Sequence, residues 1–327
     1  MERSKKIKVS DWLSRDEISE LMTLSNTKAC WEVLKNWLWI ISAFALVYFS
    51  PNIISYIIAL FIIGGKQLGC SIIMHDCSHY ALFKTKQQNI ILGNILGAYP
   101  VFHNLEDYRP YHLGHHNRTG QEDDPDINLT IGYPTNQLSL LRKFARDLLG
   151  ITGIKNFFGL WAMHLGYIEF SLAGVIKKPN KGPSLSQMIF NLVKKGIGPI
   201  LGQIIIIGPL LIINAAELYA LWILALFTTY NFSLRVRSMA EHSIVPNNLD
   251  NYTNVRTTYA NVFEQLLFAP LNVNYHAEHH LLMNIPSYHL PKLHKLLKEK
   301  KFFDKGLLES NYWNVIRVAM SKQNIIH

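Results

Sequence analysis

Long apolar runs separated by short polar breaks set the plan of this chain. Residues 31–50 are apolar with Trp31, Trp37 and Trp39 near one end, as expected of a span anchored at a membrane interface. Pro51-Asn52 makes a tight turn, and residues 53–74 form a second apolar run. A second pair lies at 196–213 and 218–234, joined by a turn at 214–217. Each run approaches the roughly 20 residues that a helix needs to cross about 30 Å of hydrocarbon. The pattern predicts an all-α integral membrane protein with four transmembrane helices in two hairpins. The hairpin turns carry no base, whereas Lys and Arg flank the outer ends, with Arg235 and Arg237 after the last run. The positive-inside bias then puts both termini in the cytosol.

Between the runs the pattern changes. Residues 1–30 read as a cytosolic tail, basic at Arg3, Lys5, Lys6, Lys8 and Arg15, with no apolar core of a cleaved signal peptide. Ser14-Arg15-Asp16-Glu17 predicts a capping box, and Leu13 and Ile18 a hydrophobic staple, for a short amphipathic helix over 15–23. Residues 89–102 are apolar but too short to span, which suits a re-entrant or interfacial helix. Segments 137–149 and 154–175, bearing Arg142, Lys143, Arg146 and Lys155, suit helices lying on the membrane surface. Residues 177–183 are a charged loop rich in breakers, and 239–327 are polar. Residues 31–327 thus form one membrane domain with a cytosolic helical cap. Lys66 interrupts the second run nine residues before His75, about 13 Å along a helix. A lysine at that depth either pairs inside the bundle or lies near a substrate tunnel.

Composition adds two constraints. Cys30, Cys70 and Cys77 have no paired spacing, which predicts free thiols in a reducing compartment. The net charge of +9 is spread along helices and loops without a nucleic-acid-binding motif. Anionic lipid is the plainer partner, and no nucleic acid is expected.

Three histidine clusters carry the chemistry: His75 and His79; His112, His115 and His116; His276, His279 and His280. On helices, offsets of +3 and +4 bring the imidazoles of each cluster to one stripe about 100° wide. Eight histidines exceed the four ligands of a closed zinc site and are enough for two ions with positions left open. His242, after the fourth run on the same face of the membrane, is a ninth candidate. Metal chemistry aimed at an apolar chain needs accessible redox states, which zinc lacks and iron has. His103, His164, His289, His294 and His327 read as ordinary core or surface residues. Asp76, Glu241, Glu278 and Asp107 are candidates to hold the outer ring nitrogens of the ligands, as are Glu106 and the Asp123-Asp124-Pro125-Asp126 run, which also reads as a turn. Cys77 faces away and reads as packing.

These boxes, in this order and with a membrane hairpin between the second and third, resemble the membrane fatty-acid desaturase and hydroxylase superfamily. The flanks His75-Asp76-Cys77-Ser78-His79 with Leu82-Phe83, Asn272-Val273-Asn274-Tyr275 and Ile285-Pro286-Ser287-Tyr288-His289-Leu290-Pro291 are similar to its acyl-lipid desaturase branch. The resemblance implies a di-iron centre on the eight box histidines and His242, with O2 as co-substrate. It implies hydrogen abstraction from an unactivated CH2, followed by loss of a second hydrogen to give a double bond or by recombination with oxygen to give an alcohol. Desaturation of a lipid acyl chain is the leading expectation. A hydroxylase or oxygenase acting on acyl, carotenoid or alkane substrates is the alternative, and a histidine-rich metal transporter is the rival from another class. Two departures stand out: Ser238 occupies a position where some members place an asparagine, and the third box opens with His276 instead of glutamine. With no haem domain fused at either end, a separate donor is expected, a ferredoxin or a b-type cytochrome with its reductase. A cytosol-facing site in a bacterial plasma membrane, in preference to the endoplasmic reticulum, completes the expectation.

Overall fold

The structure, a computed structural model, describes residues 7–173 and 177–321. Arg3, Lys5, Lys6, the end of the expected 154–175 segment at Gly174 and Val175, and His327 lie outside the described residues. Among the described residues, three helices are long and apolar enough to cross a membrane: Asn26–Phe49, Ile53–Ser78 and Leu185–Ile212.

The capping box of Ser14 and Glu17 forms as expected and opens α1 (Arg15–Leu21). Leu13 and Ile18 then pack in the same cluster. In α2 (Asn26–Phe49) the buried residues Ala29, Val33, Asn36, Ile40, Ala43 and Val47 recur every three or four positions and make one stripe. Leu34, Leu38 and Ile41 point outward. The stripe packs on α3 (Ile53–Ser78), which Asn52 and Ser55 start with a reciprocal cap. α3 is buried without a break from Ile63 to Ser78, so it is the axis of the fold. Gly64 permits a close approach of the chain at Thr229: a Cβ there would lie 2.7 Å from the Thr229 carbonyl carbon.

From α4 (Lys86–Gly93) the chain winds through a π-helical turn, Asn94–Ala98, and a 3-10 turn, Tyr99–Val101. This helical unit covers the segment expected as a re-entrant or interfacial helix. Phe102 then reverses the chain in the left-handed region at φ 64°. Asn104 caps α5 (Leu105–Arg118), which carries the second box and packs on α3. A loop and the single turn α6 (Ile127–Thr130) lead to α7 (Gln137–Leu148) and α8 (Ile151–Leu165). α8 ends at Leu165, followed by Gly166 in the left-handed conformation, ten residues short of the expected end at 175. Leu138 and Leu141 of α7 and Ile154 and Phe158 of α8 expose apolar faces, as surface-lying helices require.

α9 (Leu185–Asn191) continues through a π-helical turn at Leu192–Gly196 into α10 (Ile197–Ile212). The span therefore starts eleven residues before the expected residue 196, where Ser184 and Gln187 cap each other. The fourth expected span, 218–234, is not one helix. α11 (Tyr219–Phe227) meets α12 (Thr229–His242) at Thr228, whose backbone leaves the helical region. The Thr228 hydroxyl donates to Leu224 O at 2.6 Å and Asn231 Nδ2 to Leu226 O at 2.9 Å, so side chains take over backbone acceptors at the bend. β1 (Arg256–Thr258), α13 (Val262–Leu267), α14 (His276–Leu281), α15 (Leu290–Glu299), β2 (Leu307–Glu309) and α16 (Tyr312–Ala319) complete the fold, with β1 and β2 paired in parallel. α1 rests against the α15 region through Leu13, Leu21, Leu293 and Leu297, and Glu17 pairs with Lys300 at 2.6 Å.

Candidate metal centre

Four helices bring the histidines together. α3 ends in His75 with His79 at its cap, α5 holds the second box, α12 ends in His242 and α14 opens with the third box. All nine side chains converge in two groups. His75, His79, His112, His116 and His279 form one, with ligand atoms within 4.8 Å of one another; His115, His242 and His280 form the other. His276 joins the second group, its Nε2 2.9 Å from that of His242. The two HxxHH boxes are shared reciprocally. The i, i+4 pair His112 and His116 faces the first group while His115 faces the second; in α14 the i, i+4 pair His276 and His280 faces the second while His279 faces the first.

Protons alone cannot satisfy this arrangement. His112 Nε2 faces both His79 Nε2 at 2.9 Å and His116 Nε2 at 3.0 Å, and His116 Nε2 also faces His279 Nε2 at 3.1 Å. Each such nitrogen has one hydrogen or one lone pair, so at most two of the three contacts along this row of four can be hydrogen bonds. In the second group His242 Nδ1 faces the Asn254 carbonyl at 3.1 Å, which can only accept. His242 Nε2 then holds a lone pair, yet it meets His115 Nε2 at 3.2 Å and His276 Nε2 at 2.9 Å. The Nε2 atoms of His75 and His280 are buried without a partner among the described residues. Imidazoles sharing one ion at about 2.1 Å, about 90° apart, have their nitrogens about 3 Å from each other. The residues therefore fit two cations.

Electrostatics agree. Burial, reinforced by neighbouring cationic and imidazole groups, pushes His79 and His242 down to about 3 and holds His112, His116, His276, His279 and His280 well below the ordinary histidine value. These rings are neutral, as ligands must be. His115 is the exception: burial opposes its charge, but Asp124, Asp126 and Glu241 outweigh burial and raise its pKa. A positive charge is favoured there, where an ion would supply one.

The outer ring nitrogens are held by acids in part as expected. His75 Nδ1 meets Asp76 Oδ1 and His115 Nδ1 meets Asp124 Oδ1, both at 2.8 Å; His276 Nδ1 lies 3.5 Å from Glu241 Oε1. Asp124 is itself fixed by the backbone N–H groups of Gly120 and Asp126. Burial raises the Glu241 carboxyl to about 7 against the pull of Arg237, which it meets at 2.6 Å.

Other candidates lie elsewhere. Asp107 pairs with Lys195 at 2.9 Å and Glu106 accepts from Asn94, because five residues before His112 is another side of α5. Glu278, two residues after His276, points away from the histidines and joins Thr257 and His294, the latter at 2.5 Å. His294 is thus a buried structural partner of the third box. Lys66 stands two and a half helical turns before His75, on the opposite face of α3, where Asn36 Nδ2 bonds its carbonyl. It is not among the residues lining the cavity beside the histidines. Cys77 is buried against the helical unit after α4, as packing.

That cavity, about 230 Å³, is walled by His112, His115, His242 and His276 at one end. Val101, Phe102, Phe157, Leu160, Leu226 and Phe227 form most of an apolar passage leading away, between α8 and the α11–α12 bend. Asn254, Arg237 and His294 had no helical spacing to mark them in the sequence. Asp124 lay in the acidic run already named as a candidate.

Residues 51–311 match the family model described as Fatty acid desaturase. Dihydrorhizobitoxine desaturase of Bradyrhizobium elkanii is 27% identical over 248 residues, which is 74% of this chain and 67% of that protein.

Proposed function

Because the chain belongs to the fatty acid desaturase family, we propose that it is a di-iron, O2-dependent membrane desaturase that introduces a double bond into a lipid acyl chain. The observation that carries the reading is the convergence of nine histidine rings into two groups beside an apolar cavity that His112, His115, His242 and His276 help to line. The relative from Bradyrhizobium elkanii is named a desaturase, which favours a double bond over an alcohol. Iron, when bound, supplies the one-electron chemistry and the O2 activation that no side chain here can provide.

The chain's own residues do the rest. The five histidines around His112 and the four around His242 hold the two ions, and Asp76 and Asp124 fix the rings of His75 and His115. The passage between Phe157 and Leu226 binds an apolar chain, excludes water and brings one CH2–CH2 unit to the histidines; positioning of this kind accounts for a large part of such catalysis. In balance, two hydrogens of the chain, two electrons from a donor protein and two protons reduce one O2 to two waters. Arg237 and Glu241 at the cavity wall keep their charges paired beside the reacting carbons.

In this reading α2, α3 and α10 span the bilayer, and α11 with the first turns of α12 forms a bent fourth crossing. The histidines then face the cytosol, where a ferredoxin or a b-type cytochrome delivers electrons. Expression in a bacterial host with a reductase system, followed by mass spectrometry of the lipids, tests the proposal. The expected product is lighter by two hydrogens, with about two irons per chain and loss of both product and iron in His279→Ala. A product heavier by one oxygen would reject desaturation, and metal flux into liposomes without O2 consumption would reject the enzyme altogether.

A further inference from the structure

The C-terminal region, polar in composition, makes an excursion away from the histidines. Thr258 and Asn274 close its base: the Thr258 N–H donates to Asn274 O at 3.1 Å, and Asn274 Nδ2 donates to Thr258 O at 3.0 Å. Between them the chain runs out through α13 and returns to His276. The end of α13 packs on α3 at Gly65, where a Cβ would lie 2.8 Å from Leu267 Cα. Gly65 precedes His75 by ten residues, about 15 Å along the helix. On the neighbouring α2, Asn36 bonds the Lys66 carbonyl, so this level lies five residues, about 8 Å, deeper than Trp31. The excursion therefore descends past the tryptophan end of α2 to the level of the outward-facing Leu34 and Leu38. It exposes large apolar side chains there, with Val262 at 74% and Phe263 at 76%. Trp313, 63% exposed, opens α16 beside α13, because the Tyr312 N–H donates to Glu264 Oε1 at 3.0 Å. The polar side chains of α13 are occupied: Asn261 and Glu264 cap each other, and Gln265 Nε2 donates to Ala260 O at 3.3 Å. A segment entering lipid needs such internal partners.

We propose that this excursion is a membrane-inserted anchor of the C-terminal region, with Val262, Phe263 and Trp313 entering the leaflet that holds the Trp31 end of α2. This rests on the reading above that α2 and α3 cross the bilayer. The apolar face of an interfacial helix enters lipid by about 5–10 Å, which matches the depth of this level below Trp31. A second copy of the chain fits less well. Aromatic side chains bury about 150–250 Å² each, so two of them and a valine fall short of the roughly 800 Å² per partner of a stable interface. The consequence is positional. α13 ends nine residues before His276, so the lipid holds the segment that hands the chain to the third histidine box.

The test places nitroxide labels at Phe263→Cys and Trp313→Cys of the full chain in phosphatidylcholine nanodiscs, with the exposed Cys30 changed to serine. Electron paramagnetic resonance then reads collisions with O2, which concentrates in hydrocarbon, and with a nickel chelate, which stays in water. Leu38→Cys on α2 and Lys295→Cys on α15, both exposed, are the lipid and water references. The O2-to-nickel ratio at 263 and 313 is expected to match that at Leu38 and to exceed that at Lys295. A ratio at 263 equal to that at Lys295 overturns the anchor. Labels shielded from both reagents, with spin–spin broadening that vanishes on dilution with unlabelled chain, overturn it in favour of a dimer contact. If Leu38 itself reports water, the span reading fails, while the ratio at 263 still decides the anchor. The unmutated protein gives a second readout, through cross-linking to phosphatidylcholine with a diazirine on its acyl chain. Adducts are expected within residues 259–268 as well as on α2, and adducts on α2 with none at 259–268 or 311–318 overturn the proposal without any variant.

Discussion

His115 and Asp124 are joined at 2.8 Å, Nδ1 to Oδ1, across a loop that folds back over the end of α5. The carboxylate fixes the tautomer that leaves Nε2 free for the second group. Asp124→Ala should weaken metal binding there about 10- to 100-fold, the usual cost of losing such a partner. The first group, around His112, should keep its ion. Metal analysis after mild dialysis would find about one ion per chain where the unmutated protein keeps about two; two retained ions would contradict the assignment.

Arg237 and Glu241 make the second test. Both are buried at the cavity wall and meet at 2.6 Å. Well above pH 7, where the Glu241 carboxyl is ionised, Arg237→Met leaves a carboxylate buried without its partner and should cost about 3–5 kcal/mol of stability. Arg237→Met combined with Glu241→Gln should recover much of that loss, because no charge is then stranded. Thermal midpoints of the four proteins of this cycle measure it. A double-variant loss equal to the sum of the two single losses would show that the pair is not coupled.

How much of this was legible beforehand follows from helical phase. The eight box histidines were visible because spacings of three and four residues survive any detail of packing, and His242 because it follows the fourth apolar run. Their reciprocal division between two groups was not, since it depends on how α5 and α14 face each other. Asp107 and Glu278 were misplaced by the same rule: five residues before a ligand, or two after one, is a different side of the helix. The Asn254 carbonyl that fixes His242 has no side-chain signal at all. The run at 218–234 contains neither Pro nor Gly, so nothing marked the bend that Thr228 and Asn231 make by bonding backbone carbonyls. Lys194 and Lys195 made residue 196 look like a boundary, although Ser184 and Gln187 already spelled the true cap.

Gly64 gives a packing prediction. A Cβ there would reach within 2.7 Å of the Thr229 carbonyl carbon and the Tyr230 nitrogen, and both are backbone atoms that cannot rotate away. Gly64→Val should cost about 1–3 kcal/mol by overpacking. The strain falls on α12, which carries His242, so the second group should lose metal before the first. A variant with an unchanged thermal midpoint and full metal content would refute the contact.

The last prediction concerns acid. In the metal-free protein His79 and His242 are pushed down to about 3, and His112, His116, His276, His279 and His280 lie well below the ordinary 6.5. Their folded values are lower than their unfolded ones, so below pH 6.5 the unfolded chain binds more protons than the folded chain. Stability then rises with pH, being complete above about 6.5 and lost progressively toward about 3. His115, whose value is raised, works the other way and offsets one of these seven. Bound metal competes with the same protons and should shift the loss to lower pH. Unfolding midpoints of metal-free and metal-loaded protein between pH 7.5 and 4.5 check both points. A metal-free midpoint independent of pH over that window would mean that the histidines are solvated in the folded chain, which their burial forbids.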